Sequence, residues 1–203
     1  MRRLLSVARR RRFARGEVVF HRDDPADSLH LVEKGRFAIR IMTPLGDVAT
    51  IGVRGPGDSF GEMALVAEGL RRAATVAALE EAETFCVYQG EFERLCKEHP
   101  GVTQILVAFL AGEVRRQNEL LLDALYVPAE RRVLRRLNEL ASLYGDEEQA
   151  LVPLTQEELA SLAGTSRATV NRVLREEQQR GTLELRRGKT LVRDREALAR
   201  RAR

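Results

Sequence analysis

Residues 155–175 read "TQEELASLAGTSRATVNRVLR", and this stretch decides the fold of the C-terminal part of the chain. Thr155 and Glu158 have the spacing of a capping box, which begins a helix. Gly164 stands where the chain must turn with a positive φ, and Ser166 is suited to cap a second helix. The stretch therefore predicts a helix-turn-helix.

The apolar residues of the same stretch agree with that prediction. Leu159 faces inward on the first helix, and the small Ala160 lets the second helix approach closely. Val170, Val173 and Leu174 form the buried face of the second helix. A plain pair of antiparallel helices is the alternative.

Residues 182–194, "TLELRRGKTLVRD", follow with the pattern of a two-stranded wing. The wing favours a winged helix-turn-helix over a plain helix pair. Arg167 is placed to reach a guanine edge with two hydrogen bonds, and Arg172 to reach a base or a phosphate. The predicted DNA-contacting residues are Thr155, Ser166, Arg167, Ala168, Thr169, Asn171, Arg172 and Lys189.

The charge of the chain is unevenly distributed. Residues 1–12 carry six arginines and no acidic residue, residues 13–127 have a net charge of −6, and residues 128–203 have a net charge of +4. A basic C-terminal third suggests a nucleic-acid-binding end. The arginine-rich segment 2–12 is interpreted as a disordered tail or a packed segment, with a DNA-backbone arm or an extra helix as alternatives.

The overall composition is that of a globular protein. The 203 residues are 44% hydrophobic and 32% charged, which suits two modest domains. An apolar run long enough for a membrane span is missing, and the basic start does not resemble a signal peptide. We therefore expect a cytoplasmic protein that does not associate with a membrane.

The cysteines and histidines do not form a metal-ligand pattern. Cys86 and Cys96 are not spaced as C-x-x-C, and the three histidines are scattered, so we expect no metal. Two buried thiols are favoured, and an oxidant sensor that uses Cys86 or Cys96 is the alternative. Without a nucleophile–base pair or a nucleotide-hydrolysing loop, the chain is not expected to be an enzyme.

Residues 16–90 consist of short runs rich in Val, Ile, Phe and Tyr, separated by glycine-containing turns about every ten residues. This pattern predicts an antiparallel jelly-roll barrel. A short helix over 91–100, closed by Pro100, follows it. The predicted fold class is α+β.

A long helix is predicted over 101–126, with two apolar stripes. Leu106, Phe109 and Leu120 form one stripe, which would pack on the helix's own domain. The other stripe is expected to form a homodimer, in which the polar Gln117 fixes the register. Burial of a single broad face against the barrel is the alternative. The predicted dimer stripe comprises Val107, Leu110, Val114, Gln117, Leu121 and Ala124.

Pro128 ends that helix, and residues 129–145 predict a new amphipathic helix. The predicted domains are an antiparallel β-barrel over 1–100, the dimerisation helix over 101–127 and the winged helix-turn-helix over 128–203.

Residues 60–76 read "FGEMALVAEGLRRAATV". Here Gly61 offers backbone amides, Glu62 a carboxylate for hydroxyls and Arg72 a guanidinium for phosphate. This cassette predicts a cradle for a small anion.

The chain resembles the cyclic-AMP receptor protein and fumarate/nitrate regulator superfamily of bacterial transcription factors. The resemblance lies in the order of barrel, cassette, long helix and winged helix-turn-helix. The resemblance implies that the barrel over 1–100 is a cyclic-nucleotide-binding-like domain. It also implies a homodimer that binds palindromic operators in double-stranded DNA and recruits RNA polymerase. Arg167 and Arg172 match the family's base-reading arginines, whereas Ala168 stands where the cyclic-AMP receptor has a glutamate that reads cytosine. The loop 145–153, with its acidic residues 146–148, lies where the family meets RNA polymerase.

The resemblance also questions whether the cassette still binds cyclic AMP. Gly61, Glu62 and Arg72 match the family's ribose- and phosphate-binding residues. Ala73, however, replaces the serine that donates a hydrogen bond to the cyclic phosphate. Losing a hydrogen bond to a charged group costs about 1.5–3 kcal/mol.

Three positions of the long helix differ as well. Gln117 and Asn118 replace the family's adenine-reading pair, and Glu113 replaces an arginine, so that its carboxylate would face Glu62. We therefore expect a structural cassette, in which Arg72 pairs with Glu62 or Glu113, and a transcription activator that needs no cofactor or effector. Gating by cyclic AMP, another nucleotide or a small anion is the alternative, and repression would need only a different operator placement.

Overall fold

The computed structural model describes residues 2–43, 46–66, 69–145 and 149–203. The chain forms two compact units, Met1–Gln117 and Asn118–Arg203. Asp146, Glu147 and Glu148, the acidic residues that the resemblance places near RNA polymerase, lie outside the described residues.

The strands of the first unit pair into two antiparallel sheets. The strands are β1 (Arg9–Phe13), β2 (Val18–Phe20), β3 (Ser28–Lys34), β4 (Phe37–Met42), β5 (Val48–Arg54), β6 (Ser59–Phe60), β7 (Thr75–Ala78) and β8 (Ala82–Tyr88). One four-stranded sheet has the order β1-β8-β3-β6 and the other has the order β2-β7-β4-β5. Two facing sheets of this kind confirm the predicted jelly roll and the α+β class.

Aromatic side chains fill the space between these two sheets. Phe13 and Phe60 come from the first sheet and Phe37 from the second, and all three are buried. The ring centroids of Phe13 and Phe37 are 5.6 Å apart, and those of Phe37 and Phe60 are 5.0 Å apart. Ring pairs of this kind contribute about 0.5–1.5 kcal/mol beyond their buried area. The aromatic residues of the predicted strands therefore form the central core.

A second apolar core lies on the other face of the first sheet. The helices that cover it are α1 (Arg2–Ser6), α2 (Gln89–Glu98) and the start of α3 (Thr103–Tyr126), with 3-10 helices over Glu62–Leu65 and Pro100–Val102. Leu4, Phe92 and Leu106 from the helices pack with Leu29 and Leu31 of β3. Because neighbouring residues of a strand point to opposite faces, β3 contributes to both cores.

The arginine-rich N-terminus forms β1 and does not form a disordered tail. β1 pairs with β8 over its full length. Arg10 lies 2.5 Å from Glu33, and Arg12 lies 3.3 Å from Glu83. The packed-segment interpretation is therefore confirmed and the disordered tail is wrong, because strand pairing and neighbouring carboxylates hold these arginines at the edge of the sheet.

The predicted dimer stripe lies on the surface of α3. Val107, Val114 and Leu121 are 59%, 60% and 57% exposed. Leu106, of the stripe that was predicted to pack on the helix's own domain, is 8% exposed. Gln117 and Ala124 of the dimer stripe are exposed, whereas Leu110 is half-buried and packs against the core of the first unit. This exposure contradicts the alternative in which one broad face of the helix is buried against the barrel.

The second unit is a winged helix-turn-helix. Its elements after α3 are α4 (Ala129–Tyr144), β9 (Ala150–Val152), α5 (Gln156–Ala163), α6 (Arg167–Gln179), β10 (Leu183–Arg186), β11 (Lys189–Val192) and α7 (Arg195–Ala202). The strands form a sheet with the order β10-β11-β9. Leu159, Val170 and Leu174 are buried, which confirms the predicted packing of α5 against α6, whereas β9 and α7 were not predicted.

Within the described ranges, none of the helices combines the length and the apolar character that crossing a membrane requires.

Candidate DNA interface and effector cavity

Local caps position the two helices of the helix-turn-helix. The Thr155 hydroxyl accepts a hydrogen bond from the Glu158 amide at 3.2 Å, and the Glu158 carboxylate accepts one from the Thr155 amide at 2.9 Å. Gly164 turns the chain with a φ of 59°. The Ser166 hydroxyl accepts a hydrogen bond from the Thr169 amide at 3.2 Å. These contacts confirm the predicted capping box, turn and second cap.

A groove of about 560 Å³ opens between the start of α5, the exposed side of α6 and the wing. It brings together four predicted contact residues, Thr155, Arg167, Asn171 and Lys189. Arg186, which the sequence did not single out, also lines the groove but pairs with Glu184 at 2.8 Å, and Glu157 adds a carboxylate beside Arg167 and Lys189. Arg167 and Lys189 have no carboxylate partner among the described residues, so their charges can meet the phosphate backbone of a nucleic acid.

The other predicted contact residues lie outside the lining of this groove. Ala168 is exposed on the first turn of α6. The hydroxyls of Ser166 and Thr169 are 3.1 Å apart and hydrogen-bond each other. Part of their hydrogen-bonding capacity is therefore already used in capping α6.

The two candidate base-reading arginines are in different states. Arg167 is exposed and makes no hydrogen bond or ion pair within the part of the chain that the structure describes. Arg172 lies 2.6 Å from Glu130 of α4 and 3.2 Å from Glu176 of its own helix. Hydrogen bonds to these two carboxylates raise the pKa of Arg172. A backbone hydrogen bond, followed by the Arg172 side chain, lowers the pKa of Glu130.

Arg132 joins α4 to the turn of the helix-turn-helix. Its guanidinium donates hydrogen bonds to the carbonyls of Ala163, Gly164 and Val127, each at 2.8 Å. The last carbonyls of a helix have no partner inside the helix, so Arg132 satisfies the end of α5. The sequence did not single out this residue, because its partners at Ala163 and Gly164 are distant in the chain.

A cavity of about 190 Å³ lies against the cassette in the first unit. Ile39, Ile41 and Ile51 give it an apolar wall. Asn118, which was predicted with this site, falls in the second unit and is exposed. The predicted site residues that line the cavity are Gly61, Glu62, Arg72, Ala73, Glu113 and Gln117.

The protein itself holds Arg72. The residue is 5% exposed, and its guanidinium donates hydrogen bonds to the Ser28 carbonyl at 2.7 Å and to the Asp27 carboxylate at 2.8 Å. The expected pairing with Glu62 or Glu113 is therefore wrong, because Asp27 takes that place among the described residues.

Gly61 leaves room for Arg72. Its φ is 82°, and a Cβ atom at this position would lie 2.7 Å from a guanidinium nitrogen of Arg72 and 2.8 Å from the Ser28 carbonyl oxygen. On another side, the guanidinium lies 4.0 Å from the centroid of the Phe20 ring, within the range of a cation–π contact. The cassette glycine is thus explained by the packing of Arg72.

Glu113 lies among positive charges. Its carboxylate accepts hydrogen bonds from Arg54 at 3.1 Å, Arg116 at 2.7 Å and Gln117 at 2.7 Å. Burial acts to raise its pKa, but the bonds from Arg116 and Gln117 and the charge of Arg54 lower that pKa to about 2. The expected repulsion between Glu113 and Glu62 across the cavity is therefore wrong, since two unpredicted arginines neutralise Glu113.

Comparison with known proteins identifies the family of this chain. Residues 10–99 match the model of the cyclic nucleotide-binding domain, and residues 131–201 match that of the Crp-like helix-turn-helix domain. A CRP-like cAMP-activated global transcriptional regulator of Mycobacterium tuberculosis is 32% identical over 195 residues, which cover 94% of this chain and 87% of that protein. The chain belongs to the Crp/Fnr family of transcription regulators.

Two further proteins are similar to this Crp/Fnr regulator, one in sequence and one in structure. The cyclic AMP receptor protein of Thermus thermophilus is 36% identical over 194 residues, which cover 94% of this chain and 86% of that protein. The structure of FixK2 from Bradyrhizobium japonicum is similar with a TM-score of 0.80, at 21% identity and with 96% of each chain covered. The likeness to FixK2 supports the fold alone. The family is one of DNA-binding transcription regulators, which confirms the prediction that the chain is not an enzyme.

The Crp/Fnr family implies a cyclic nucleotide in the cavity, and the residues present fit it in part. Gly61, Glu62 and Arg72 are in place, and Arg72 Nε is buried without a hydrogen-bond partner among the described residues. Ala73, however, has no hydroxyl to donate, and Asp27 already holds the guanidinium. The cavity suits an anion in general, but it lacks contacts that would identify cyclic AMP.

The cysteines of this Crp/Fnr regulator are free thiols. Cys86 is buried, and burial raises the pKa of its thiol, whereas reactive cysteines have a lowered pKa. Cys96 is half-buried. Among the described side chains, no group of three or more His, Cys, Asp or Glu is arranged to hold a metal ion.

Proposed function

We propose that this Crp/Fnr regulator is a homodimer that binds palindromic operators, recruits RNA polymerase as an activator and acts without a small-molecule effector. The DNA-binding part rests on the groove that unites Thr155, Arg167, Asn171 and Lys189 on the exposed side of α6. As a regulator of bacterial DNA, it acts in the cytoplasm.

The exposed stripe of α3 supports the homodimer. A helix of 24 residues is about 36 Å long, and Val107, Val114 and Leu121 lie exposed along it. Burying this stripe against its copy in a second chain removes the apolar surface from water. Light scattering should therefore give twice the chain mass of 22.9 kDa.

The first turn of α6 supports a specific mode of reading. Arg167 is free to form two hydrogen bonds to one guanine in each half-site. Ala168 cannot accept a hydrogen bond from cytosine, so the neighbouring base pair is read with less discrimination, by about 1–3 kcal/mol. We expect half-sites that share a guanine and vary beside it.

The state of Arg72 supports independence from an effector. Its phosphate-binding groups are engaged by Asp27 and Ser28, so a ligand would have to displace an existing charged contact. On this proposal the dimer is already in its DNA-binding arrangement, and its activity is set by the amount of protein.

Selection of bound sequences from random DNA, with purified ligand-free protein, tests the proposal. The expected result is a two-fold symmetric site with a guanine in each half. Only salt-sensitive, sequence-independent binding would refute effector independence. Transcription with purified RNA polymerase on the selected site then separates the two regulatory directions: more transcript supports the activator, and less transcript makes the protein a repressor.

Gating by a small anion is the second candidate, and the cavity favours it in one respect. Arg54 and Arg116 share the single carboxylate of Glu113, and Arg72 Nε has no hydrogen-bond partner among the described residues. A ligand shifts the dimer between states only by its differential affinity for them. A rise in operator affinity or melting temperature with cyclic AMP or cyclic GMP would favour gating, and no change would favour independence.

A further inference from the structure

The ion pairs of Arg172 connect the recognition helix α6 to α4. One guanidinium nitrogen lies 2.6 Å from a Glu130 oxygen, and another lies 3.2 Å from a Glu176 oxygen. Glu176 is one helical turn along α6, whereas Glu130 is 42 residues earlier in the chain, at the start of α4. The contact with Glu130 is therefore a tertiary one that the fold builds.

Glu130 holds the guanidinium of Arg172, the same group that Arg172 would use to contact DNA. A carboxylate accepts hydrogen bonds from arginine in much the same way as the O6 and N7 atoms of guanine do. Arg172 cannot donate the nitrogen that Glu130 holds to a base edge at the same time, and a bidentate contact with guanine needs that nitrogen. Arg167 has no such competitor within the described residues. Arg172 must therefore break an ion pair before it contacts DNA, whereas Arg167 need not.

We propose that Glu130 is a specificity-determining residue that competes with DNA for Arg172. In free protein its carboxylate holds the guanidinium, and on the operator Arg172 exchanges Glu130 for a base or a phosphate. We call this contact the Glu130 latch. The inference rests on the proposed role of Arg172 as a second reading residue.

The exposure of the pair sets the size of the effect. The side chains of Arg172 and Glu130 are 54% and 49% exposed, so water and salt screen their attraction. An exposed ion pair changes an equilibrium by a small factor, of about two- to five-fold. The latch therefore tunes operator affinity without preventing binding, and its effect should shrink as salt is added.

The test measures operator affinity with the full-length dimer and a site selected from random DNA. Glu130→Gln removes the competing charge and should tighten binding by about two- to five-fold. Glu130→Asp keeps the charge at the start of α4 but has a shorter reach, and it should also tighten binding. Glu139→Gln is the matched control, because Glu139 lies on the same helix and pairs with Arg136 at 2.7 Å.

The background variant Arg172→Ala decides between the latch and a general charge effect. If the latch operates, Glu130→Gln no longer tightens binding beyond Glu139→Gln once Arg172 is removed. Weaker binding by Glu130→Gln would overturn the latch and make Glu130 a residue that orients Arg172. Equal effects of Glu130→Gln and Glu139→Gln in the parent protein would overturn the latch alone. If Arg172→Ala binds like the parent protein, the reading role of Arg172 fails and the latch fails with it.

Discussion

Arg72 in the first unit and Arg167 in the second show two uses of the same side chain. Arg72 is 5% exposed, and Ser28 and Asp27 accept its hydrogen bonds. Arg167 lies on the surface of α6 without a partner in the described part of the chain. A guanidinium that the protein satisfies stabilises that protein, whereas one that stays free can bind phosphate or bases. In the cassette the arginine is packed against acceptors of the protein itself, whereas in the helix-turn-helix the arginine lies at the surface.

The largest expected effect is a loss of folding stability in acid, caused by the buried His30 of the first unit. His30 is 1% exposed and stacks on Phe60 with centroids 5.0 Å apart. Burial, followed by the charge of Arg72, lowers its pKa from 6.5 to about 3. The unfolded chain therefore binds this proton first as the pH falls. The stabilisation is complete above pH 6.5 and is lost towards pH 3, at up to about 1.4 kcal/mol per pH unit.

Chemical unfolding at a series of pH values measures this loss. His30→Phe keeps an aromatic ring beside Phe60 and removes the titration, so its stability should depend less on pH than that of the parent protein. His99→Gln is the matched control for removing a histidine. Equal pH dependence in all three proteins would contradict a sheltered core in the first unit.

The second effect is the role of Arg72 in stability. Arg72→Met removes the donor to the buried Ser28 carbonyl and the ion pair with Asp27, and should lower the free energy of unfolding by about 1–3 kcal/mol. Arg71→Met is the control at the neighbouring exposed position. If Arg72→Met is as stable as the parent protein but loses a response to a cyclic nucleotide, Arg72 is a binding residue and its contrast with Arg167 is wrong.

The third effect belongs to the free arginine of the second unit. Arg167→Ala should lower discrimination at one base pair by about 1–3 kcal/mol, or about 5- to 150-fold in affinity, with an unchanged melting temperature. Binding to the selected operator and to operators substituted at each position measures it. Arg175→Ala, on a later turn of the same helix, is the control. A fall in melting temperature would place Arg167 with Arg72 as a structural residue.

The smallest expected effect distinguishes a phosphate-contacting residue, Lys189, from the base-reading Arg167. Lys189→Ala removes one cation from the wing and should weaken binding to all sequences about equally, and reduce the slope of log affinity against log salt by about 0.9. Titrations at several salt concentrations on operator and unrelated DNA measure it. A loss confined to the operator would make Lys189 a base-reading residue.

The sequence predicted the features that depend on neighbours in the chain. The pair Thr155 and Glu158, the turn at Gly164 and the cap at Ser166 are local, and the structure confirms all of them. Each follows from the backbone hydrogen bonds that the ends of a short helix must satisfy, so a few adjacent residues are sufficient to identify it.

The features that the sequence missed depend on residues far apart in the chain. Arg72 meets Asp27 across 45 positions, and Arg54 meets Glu113 across 59. The sequence predicted Glu62 or Glu113 as the partner of Arg72, but tertiary packing placed Asp27 there. For the segment 2–12 the sequence allowed a packed segment but did not predict its strand, because four arginines do not suggest a strand until their pairing with β8 is known.

β1 also determines where a second molecule can attach. It is the end strand of its sheet, and an end strand offers unpaired backbone groups to any passing chain. Its four consecutive arginines are exposed, so an added copy of the same strand would bring like charges together. Self-association through this edge is thereby discouraged, which supports the proposed dimer through the apolar stripe of α3.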